Sequence, residues 1–186
     1  MKSLGSIPEL FRTLPTRGIV AEVGVWLGDN AAVLLRCMQP TRLFLVDHWK
    51  NVQDPTNKAL LGDDSKRIAA AYSKVVNRFF ADRRVVIMRM GSLQAAKSLR
   101  GGLLDVCYLD ASHLYRNVLE DLRAWSYCVR PGGFLCGHDW DYYPDVNRAV
   151  TEFLKERPDC QHEYVAGRKG HAKAYALRIR GTRFRG

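Results

Sequence analysis

The sequence predicts an α/β fold, a mostly parallel sheet with helices on both faces and an antiparallel hairpin at its C-terminal end. Three observations carry that prediction. Five short apolar runs, rich in β-branched residues, alternate with segments of helical periodicity, which is the pattern of a parallel sheet with crossover helices. Each of the five runs finishes in polar or charged residues: Glu22 with Gly24, Asp47-His48-Trp49, Gly91-Ser92, Asp110, and His138-Asp139-Trp140. The last two strand candidates, about 162–167 and 171–180, are joined by Arg168-Lys169-Gly170. That connection is too short for a crossover, so these two strands form an antiparallel hairpin.

In chain order, Ile7, Leu10, Phe11 and Leu14 fall at helical spacing before Pro15, giving a lead-in helix within residues 1–15. Ile19, Val20, Ala21, Val23 and Val25 read as a buried central strand, about 18–25. The chain then turns through Gly24 and Gly28 into a helix capped by Asp29 or Asn30 and reaching Cys37. Leu43 to Trp49 is the second strand, ending in Asp47. Residues 51–64 are polar, contain Pro55 and Gly62, and read as a mobile loop over the site. Ile68, Tyr72, Val75, Val76, Phe79 and Phe80 mark an amphipathic helix. Arg84 to Met90 is the third strand and residues 92–99 a short helix closed by Gly101-Gly102. Leu103 to Leu109 is the fourth strand. Tyr115 to Arg130 is a helix with Val118, Leu122, Trp125 and Val129 on one face, stopped by Pro131-Gly132-Gly133. Phe134 to Gly137 is the fifth strand, Val146 to Glu156 the last helix, and the hairpin closes a Rossmann-like sheet of seven strands.

The 186 residues suit one domain spanning 1–186, with 47% hydrophobic and 26% charged residues. No apolar run reaches the ~18 residues that span a bilayer, and the N-terminus has no apolar signal core, so no membrane is expected. The cysteines at 37, 107, 128, 136 and 160 lack C-x-x-C spacing and read as reduced thiols of a cytoplasmic protein. Of the formal net charge of +10, residues 166–186 carry +7 with no acid, leaving +3 for the other 165 residues. A solvated strand with a basic tail at 181–186 accounts for this charge; an anionic partner such as nucleic acid is the functional alternative.

In sheets of this kind a ligand lies outside the carboxyl ends of the strands. Asp47 stands 19 residues beyond Gly28, a distance at which an acidic side chain suits the two hydroxyls of a ribose. The turn has only G-x-x-x-G, with no third glycine and no phosphate-binding Lys, so a triphosphate site is not expected.

Taken in order, A-E-V-G-V-W-L-G-D, L-V-D-H-W, M-G-S, Y-L-D-A-S-H-L-Y and R-P-G-G-F-L-C-G-H-D-W resemble the motifs of class I S-adenosylmethionine-dependent methyltransferases. The likeness covers roughly residues 15–180 and is nearest to the small-molecule O-methyltransferase branch with D-G-D-H-x-Y after the fourth strand. The resemblance implies that Glu22 lies near the methionine amino group and that Gly24 and Gly28 form the turn against S-adenosyl-L-methionine. It implies that Asp47 binds the ribose, that His48 or Trp49 flanks the adenine, and that Ser92, after Gly91, contacts the adenine edge. Asp110 falls near the methionine end and the reacting centre. The chain departs from the family where Ala111-Ser112 replaces Gly-Asp, and where His138-Asp139 stands in place of Asp-Asp or Asp-Asn.

Two routes for deprotonating an oxygen acceptor stay open. One is a histidine base, His113 or His138, assisted by Asp110 and Asp139. The other is Mg²⁺ held by Asp110 and Asp139. Trp49, Tyr115, Trp140, Tyr142 and Tyr143 are candidates for an acceptor wall. The expected activity is O-methylation of a small molecule of sugar or polyphenol type. An RNA acceptor bound through the Arg-rich C-terminus and a non-catalytic nucleoside-binding subunit are the alternatives. So compact a chain would borrow part of its pocket from a second copy in a homo-oligomer.

Overall fold

A computed structural model describes residues 1–4, 6–50, 65–167 and 173–181. The mobile loop expected at 51–64, the hairpin turn and the tail beyond residue 181 lie outside the described residues. The elements are β1 (Lys2–Leu4), α1 (Ile7–Thr13), β2 (Ile19–Val23), α2 (Asp29–Met38), β3 (Arg42–Asp47) and α3 (Ser65–Phe79). They continue with β4 (Val85–Arg89), α4 (Ser92–Ser98), β5 (Leu104–Leu109), α5 (Tyr115–Ser126), β6 (Val129–Trp140), α6 (Pro144–Glu156), β7 (Cys160–Ala166) and β8 (Lys173–Ile179).

The sheet runs β1-β7-β8-β6-β5-β2-β3-β4. It holds the seven strands the sequence predicts plus the three-residue β1, which pairs in parallel with β7 through Lys2↔Tyr164 to Leu4↔Ala166. β6 and β8 are antiparallel, as are β7 and β8, so the C-terminal hairpin is present. The strand order reverses between β2 and β5, which places a topological switch point beside the first glycine turn.

Two apolar layers flank the sheet. One face carries α1, α2 and α3, with Leu10, Phe11, Leu34, Met38 and Val75 packed on Val20, Leu43, Leu45, Val106 and Tyr108. The other carries α4, α5 and α6, with Ala95, Leu122, Trp125, Val150 and Phe153 packed on Ala21, Val23, Cys107 and Leu135. Successive strand residues serve alternate faces, so the apolar runs of β2 and β5 feed both layers. Among the described residues no helix is long and apolar enough to cross a membrane. All five cysteines are free.

Two expectations about the fifth strand are corrected. Helix α5 ends at Ser126, not at Arg130, and β6 begins at Val129, running through Pro131-Gly132-Gly133 to Trp140. The pairing with β5 explains how: Leu104 faces Val129 and Val106 faces Phe134, so the Pro-Gly-Gly stretch is extruded as a bulge rather than breaking the strand. At this end Asp105 accepts hydrogen bonds from the Ile19 amide at 2.7 Å and from Arg130 Nε at 2.6 Å, tying β2, β5 and β6 together opposite the candidate site.

The lead-in helix α1 is part of the core. Ser6 caps it by accepting from the Glu9 amide, and the fully buried Phe11 ring meets Tyr108 edge-on at 5.1 Å. Replacing Phe11 with Ala removes this contact and leaves a cavity, and is expected to lower the unfolding free energy by about 3–5 kcal/mol. Denaturant unfolding checks it; a loss below about 1 kcal/mol would mean that α1 is dispensable.

Candidate functional site

The carboxyl ends of β2, β3, β5 and β6 surround a cavity of about 790 Å³. Its position follows from the backbone at Gly24. This residue has φ +89°, and a Cβ there would lie 2.1 Å from the Asp110 carbonyl oxygen. The Gly24 amide bonds the Val46 carbonyl at 2.9 Å while the Asp110 amide bonds the Val23 carbonyl at 2.8 Å. A glycine is therefore required where the β2 turn is wedged against the end of β5. Gly28, at φ +76°, has a different task. It starts α2, and a Cβ would lie 2.7 Å from the Phe79 ring, so it allows α2 and α3 to pack and does not line the cavity.

Asp47 organises the mouth. Its Oδ2 accepts from the Val25 and Trp26 amides, each at 3.0 Å, and its Oδ1 accepts from the Trp49 amide at 2.8 Å. Trp26 and Trp49 both have left-handed backbones, and Trp49 Nε1 donates to the Trp26 carbonyl at 3.0 Å. The carboxylate thus holds two strained turns in place, and it lines the cavity. His48 and Trp49 also line it; Trp49 is buried against Tyr72 with ring centres 5.0 Å apart.

Gly91 and Ser92 line the cavity at the start of α4. Ser92 Oγ donates to Asp121 Oδ1 at 2.5 Å and accepts from Trp125 Nε1 at 2.8 Å. Glu22 does not line the cavity. It is fully buried on the β2 face shared with Tyr108, and neither carboxylate oxygen has a hydrogen-bond partner. Burial, reinforced by Asp110, Asp47 and Asp29, holds its carboxyl well above the usual range.

At the other end Asp110, His113, His138 and Asp139 converge. His113 Nε2 and Asp139 Oδ2 are 2.7 Å apart, and His138 Nδ1 lies 3.2 Å from Asp139 Oδ1 and 3.9 Å from Asp110 Oδ1. Asn30 Nδ2 donates to Asp110 Oδ2 at 2.9 Å. Asp139 is aimed inward by a bulge: the β6–β8 register shifts between Gly137 and Trp140, and Asp139 has φ +62°. Burial pushes Asp110 up to about 6, partly opposed by His138 and reinforced by Asp139. Burial acts the same way on Asp139, but its bonds to His113 and His138 outweigh it and hold this carboxyl low. For His138, burial favours the neutral ring, and the bond to Asp139 with the charge of Asp110 overrides it, leaving the pKa raised.

One ligand atom from each of Asp110, His113 and Asp139 lies within 4.8 Å of the others. The structure thus brings together the two carboxylates expected to hold a metal, and His113 joins them where His138 does not. Two carboxylates and an imidazole are donors that divalent ions take; the nitrogen makes the set less typical of Mg²⁺ than of a transition ion such as Mn²⁺.

Of the aromatic residues expected to wall an acceptor pocket, Trp49 and Tyr143 line the cavity, and Tyr143 stacks on His113 at 4.2 Å. Tyr115, Trp140 and Tyr142 do not line it; Tyr115 donates to Glu152 and Trp140 packs on His162. The sequence reading missed Asn30 and Asp121, both on the cavity wall. Nothing in the sequence distinguishes Asn30 from a helix cap. Asp121 did leave a signal, being a carboxylate on the same helical stripe as Val118, Leu122 and Trp125.

A family model described as "Methyltransferase domain" matches residues 21–140. No curated protein matches the chain. Among solved structures the chain is similar to PH0851, with TM-score 0.67 and 12% identity over 92% of this chain and 45% of that one. It is similar to an rRNA methylase from Streptococcus thermophilus, with TM-score 0.63 and 13% identity over 94% of each chain. It also resembles Aeropyrum pernix fibrillarin, solved with natively bound S-adenosyl-L-methionine, with TM-score 0.63 and 11% identity over 91% of this chain and 72% of that one. The chain spans less than half the length of PH0851. At such identities these likenesses establish the fold alone.

Two outcomes follow from this geometry. Asp47→Ala strips the acceptor from the Val25, Trp26 and Trp49 amides and is expected to lower unfolding free energy by about 2–4 kcal/mol, read by urea denaturation; an unchanged midpoint would contradict the assignment. The second concerns pH. Asp110 ionises near 3.8 in an unfolded chain but near 6 in the fold, so between those values the native state binds more protons. Its contribution to stability therefore falls as pH rises through that window. Asp110→Asn keeps the bond from Asn30 and removes the loss. Without added metal it is expected to be more stable than wild type at pH 7.5, on the order of 2 kcal/mol, and equal to it near pH 4. A gain that does not vary with pH would refute this cause.

Proposed function

The chain belongs to the methyltransferase-domain family, and from that premise we propose that it transfers a methyl group from S-adenosyl-L-methionine to a hydroxyl of a small molecule. The observation that carries this reading is a single cavity with a histidine–carboxylate cluster at one end and the Asp47 turn at the other. Asp47 retains a free direction on Oδ1 for a ribose hydroxyl, Gly24 lets the backbone come close, and the wall carboxylates suit the positive charge of a sulfonium amino acid. The bound donor supplies a methyl carbon already activated for in-line displacement, so the protein's work is positioning and proton management.

His113, oriented by Asp139 across 2.7 Å, takes the acceptor proton as the oxygen–methyl bond forms. The imidazolium so produced is stabilised by Asp139, which stays ionised because its carboxyl is held low. His138, with its raised pKa, keeps its own proton nearer neutrality and offsets the charge of Asp110. A divalent ion on Asp110, His113 and Asp139 would instead lower the pKa of the acceptor hydroxyl.

The basic C-terminal segment supports a second reading, in which the acceptor is RNA. Against it, the described residues of the cavity wall include Asp29, Asp47, Asp110, Glu120, Asp121 and Asp139 but only Lys50 among lysines and arginines, a lining that repels phosphate.

The test is formation of S-adenosylhomocysteine from a panel of catechols, phenols and sugars, with RNA as a further arm, after chelation and with Mg²⁺ or Mn²⁺ restored. Turnover of a small acceptor is expected. Turnover of RNA alone would select the second reading, and no product in any arm would favour a non-catalytic nucleoside-binding subunit. With the acceptor found, His113→Ala is expected to lower kcat by about 10²-fold or more while calorimetric affinity for S-adenosylhomocysteine changes less than about threefold. An unchanged kcat would remove His113 from the reaction.

A further inference from the structure

Residues 65–100, which form α3, β4 and α4, contain nine lysines and arginines against the single acid Asp82, a net charge of +8. Residues 101–165 contain eleven acids against six lysines and arginines, a net charge of −5. The basic stretch is one edge of the molecule, because β4 is the last strand of the sheet and α3 and α4 cover its two faces. Its acid is already spent, Asp82 being bonded to Arg84. Among the described residues no carboxylate pairs with Lys74, Arg83, Arg89 or Lys97.

This edge also carries aromatic rings. At the end nearest the cavity Arg67 lies over Trp26 at 5.7 Å and Arg89 over Tyr72 at 4.4 Å. At the other end the turn from α3 to β4 is tied by the Asp82 amide to the Phe79 carbonyl at 3.0 Å and by the Val85 amide to the Asp82 carbonyl at 2.9 Å. That turn leaves the Phe80 ring 79% exposed in the same short connection as Arg83 and Arg84. Between the two ends α3 runs for about 22 Å and turns Ala69, Ala70, Ser73 and Asn77 to solvent, small residues that let a bulky chain come close. Charge at a sheet border deters strand addition, but that task needs cations on β4 and its flanks only. It accounts neither for Lys74 and Lys97 on the helices nor for a bare phenyl ring in water.

The occupant follows from the charge. A second copy paired edge to edge about a two-fold axis would set these arginines against themselves. A long track of cations ending in an exposed ring suits a linear polyanion with flat faces. We propose that the α3–β4 edge docks a single strand of RNA, with its phosphates on the cations of α3 and β4 and a base stacked on Phe80. The strand lies outside the acid-lined cavity and is a docked partner, not the methyl acceptor.

The experiment is fluorescence anisotropy of a labelled oligouridine of about twelve nucleotides, titrated with the full-length protein between about 50 and 300 mM salt. Wild type is expected to bind with a log–log salt slope of about −2 or steeper, the release of about three counterions from a single strand. Lys74→Glu with Arg83→Glu, both exposed positions, is expected to weaken binding at least about tenfold and to flatten the slope. Phe80→Ala is expected to weaken it about fivefold or more with the slope unchanged, because a stacked ring releases no counterion. Arg183→Glu with Arg185→Glu, in the basic tail, is expected to lose less affinity than the edge pair. No binding by wild type, a loss from the tail pair as large as that from the edge pair, or Phe80→Ala binding like wild type overturns the proposal. Displacement of the probe by polyglutamate or phosphatidylserine vesicles as readily as by unlabelled oligouridine, at equal charge, also overturns it and gives the edge to an acidic protein or a membrane. If the edge pair does not fold, the wild-type slope and Phe80→Ala decide. Lys74, Phe80 and Arg83 do not line the cavity, so each outcome stands apart from the reading of that site.

Discussion

The site depends on a missing side chain. At Gly24 the β2 turn passes so near the Asp110 carbonyl that no Cβ fits; the Gly24 amide is spent on Val46 of β3 and the Asp110 amide on Val23 of β2. This wedge sets the separation of the two halves of the cavity. On one side it lets Asp47 reach back to the Val25 and Trp26 amides; on the other it fixes where the Asp110 carboxyl emerges. Neighbouring strands deliver the remaining groups at heights already decided by the parallel register, so one backbone contact coordinates side chains far apart in the chain.

Charge is distributed unequally in this molecule. A chain of formal charge +10 gathers carboxylates at one pole of its sheet, and buries some of them where water cannot stabilise them. Asp110 and Asp139 respond in opposite directions although both face the same imidazoles: Asp139 touches His113 and His138, whereas Asp110 is reached by His138 only at 3.9 Å. Burial dominates at Asp110 and raises it to about 6, whereas direct bonds to two imidazoles outweigh burial at Asp139 and hold it low. Glu22 and the Tyr108 hydroxyl, side by side on β2 and β5, are buried without hydrogen-bond partners, and burial raises both pKa values. Such arrangements reduce stability and persist where a bound ligand or a reaction uses the unbalanced charge.

Much of this could be read from the chain because strand ends and helix faces leave periodic marks. The alternation of apolar runs, the terminal Asp47, Asp110 and Asp139, and the short Arg168-Lys169-Gly170 connection are local features, and the topology follows from them. What escaped reading depends on partners distant in sequence. Gly28 looked like part of a ligand cradle, yet its lack of a side chain accommodates Phe79 from α3. Pro131-Gly132-Gly133 looked like a stop signal, but β5 supplies a register shift that absorbs it inside β6. The two carboxylates expected to hold a metal are joined by the imidazole of His113, from the loop after β5, a proximity that no spacing in the sequence shows. The three-residue β1 is too short to have a period at all.

That short strand has a consequence for how copies of this protein behave toward one another. β7 would otherwise expose an unpaired row of amides and carbonyls along the border of an eight-stranded sheet, a ready template for strands from neighbouring molecules. Residues 2–4 occupy that row from within the same chain. They cover Tyr164 to Ala166 of β7 and leave a strand of three residues at the border of the sheet. Without residues 2–4, the backbone of Tyr164 to Ala166 would be open to pairing by a strand from another chain.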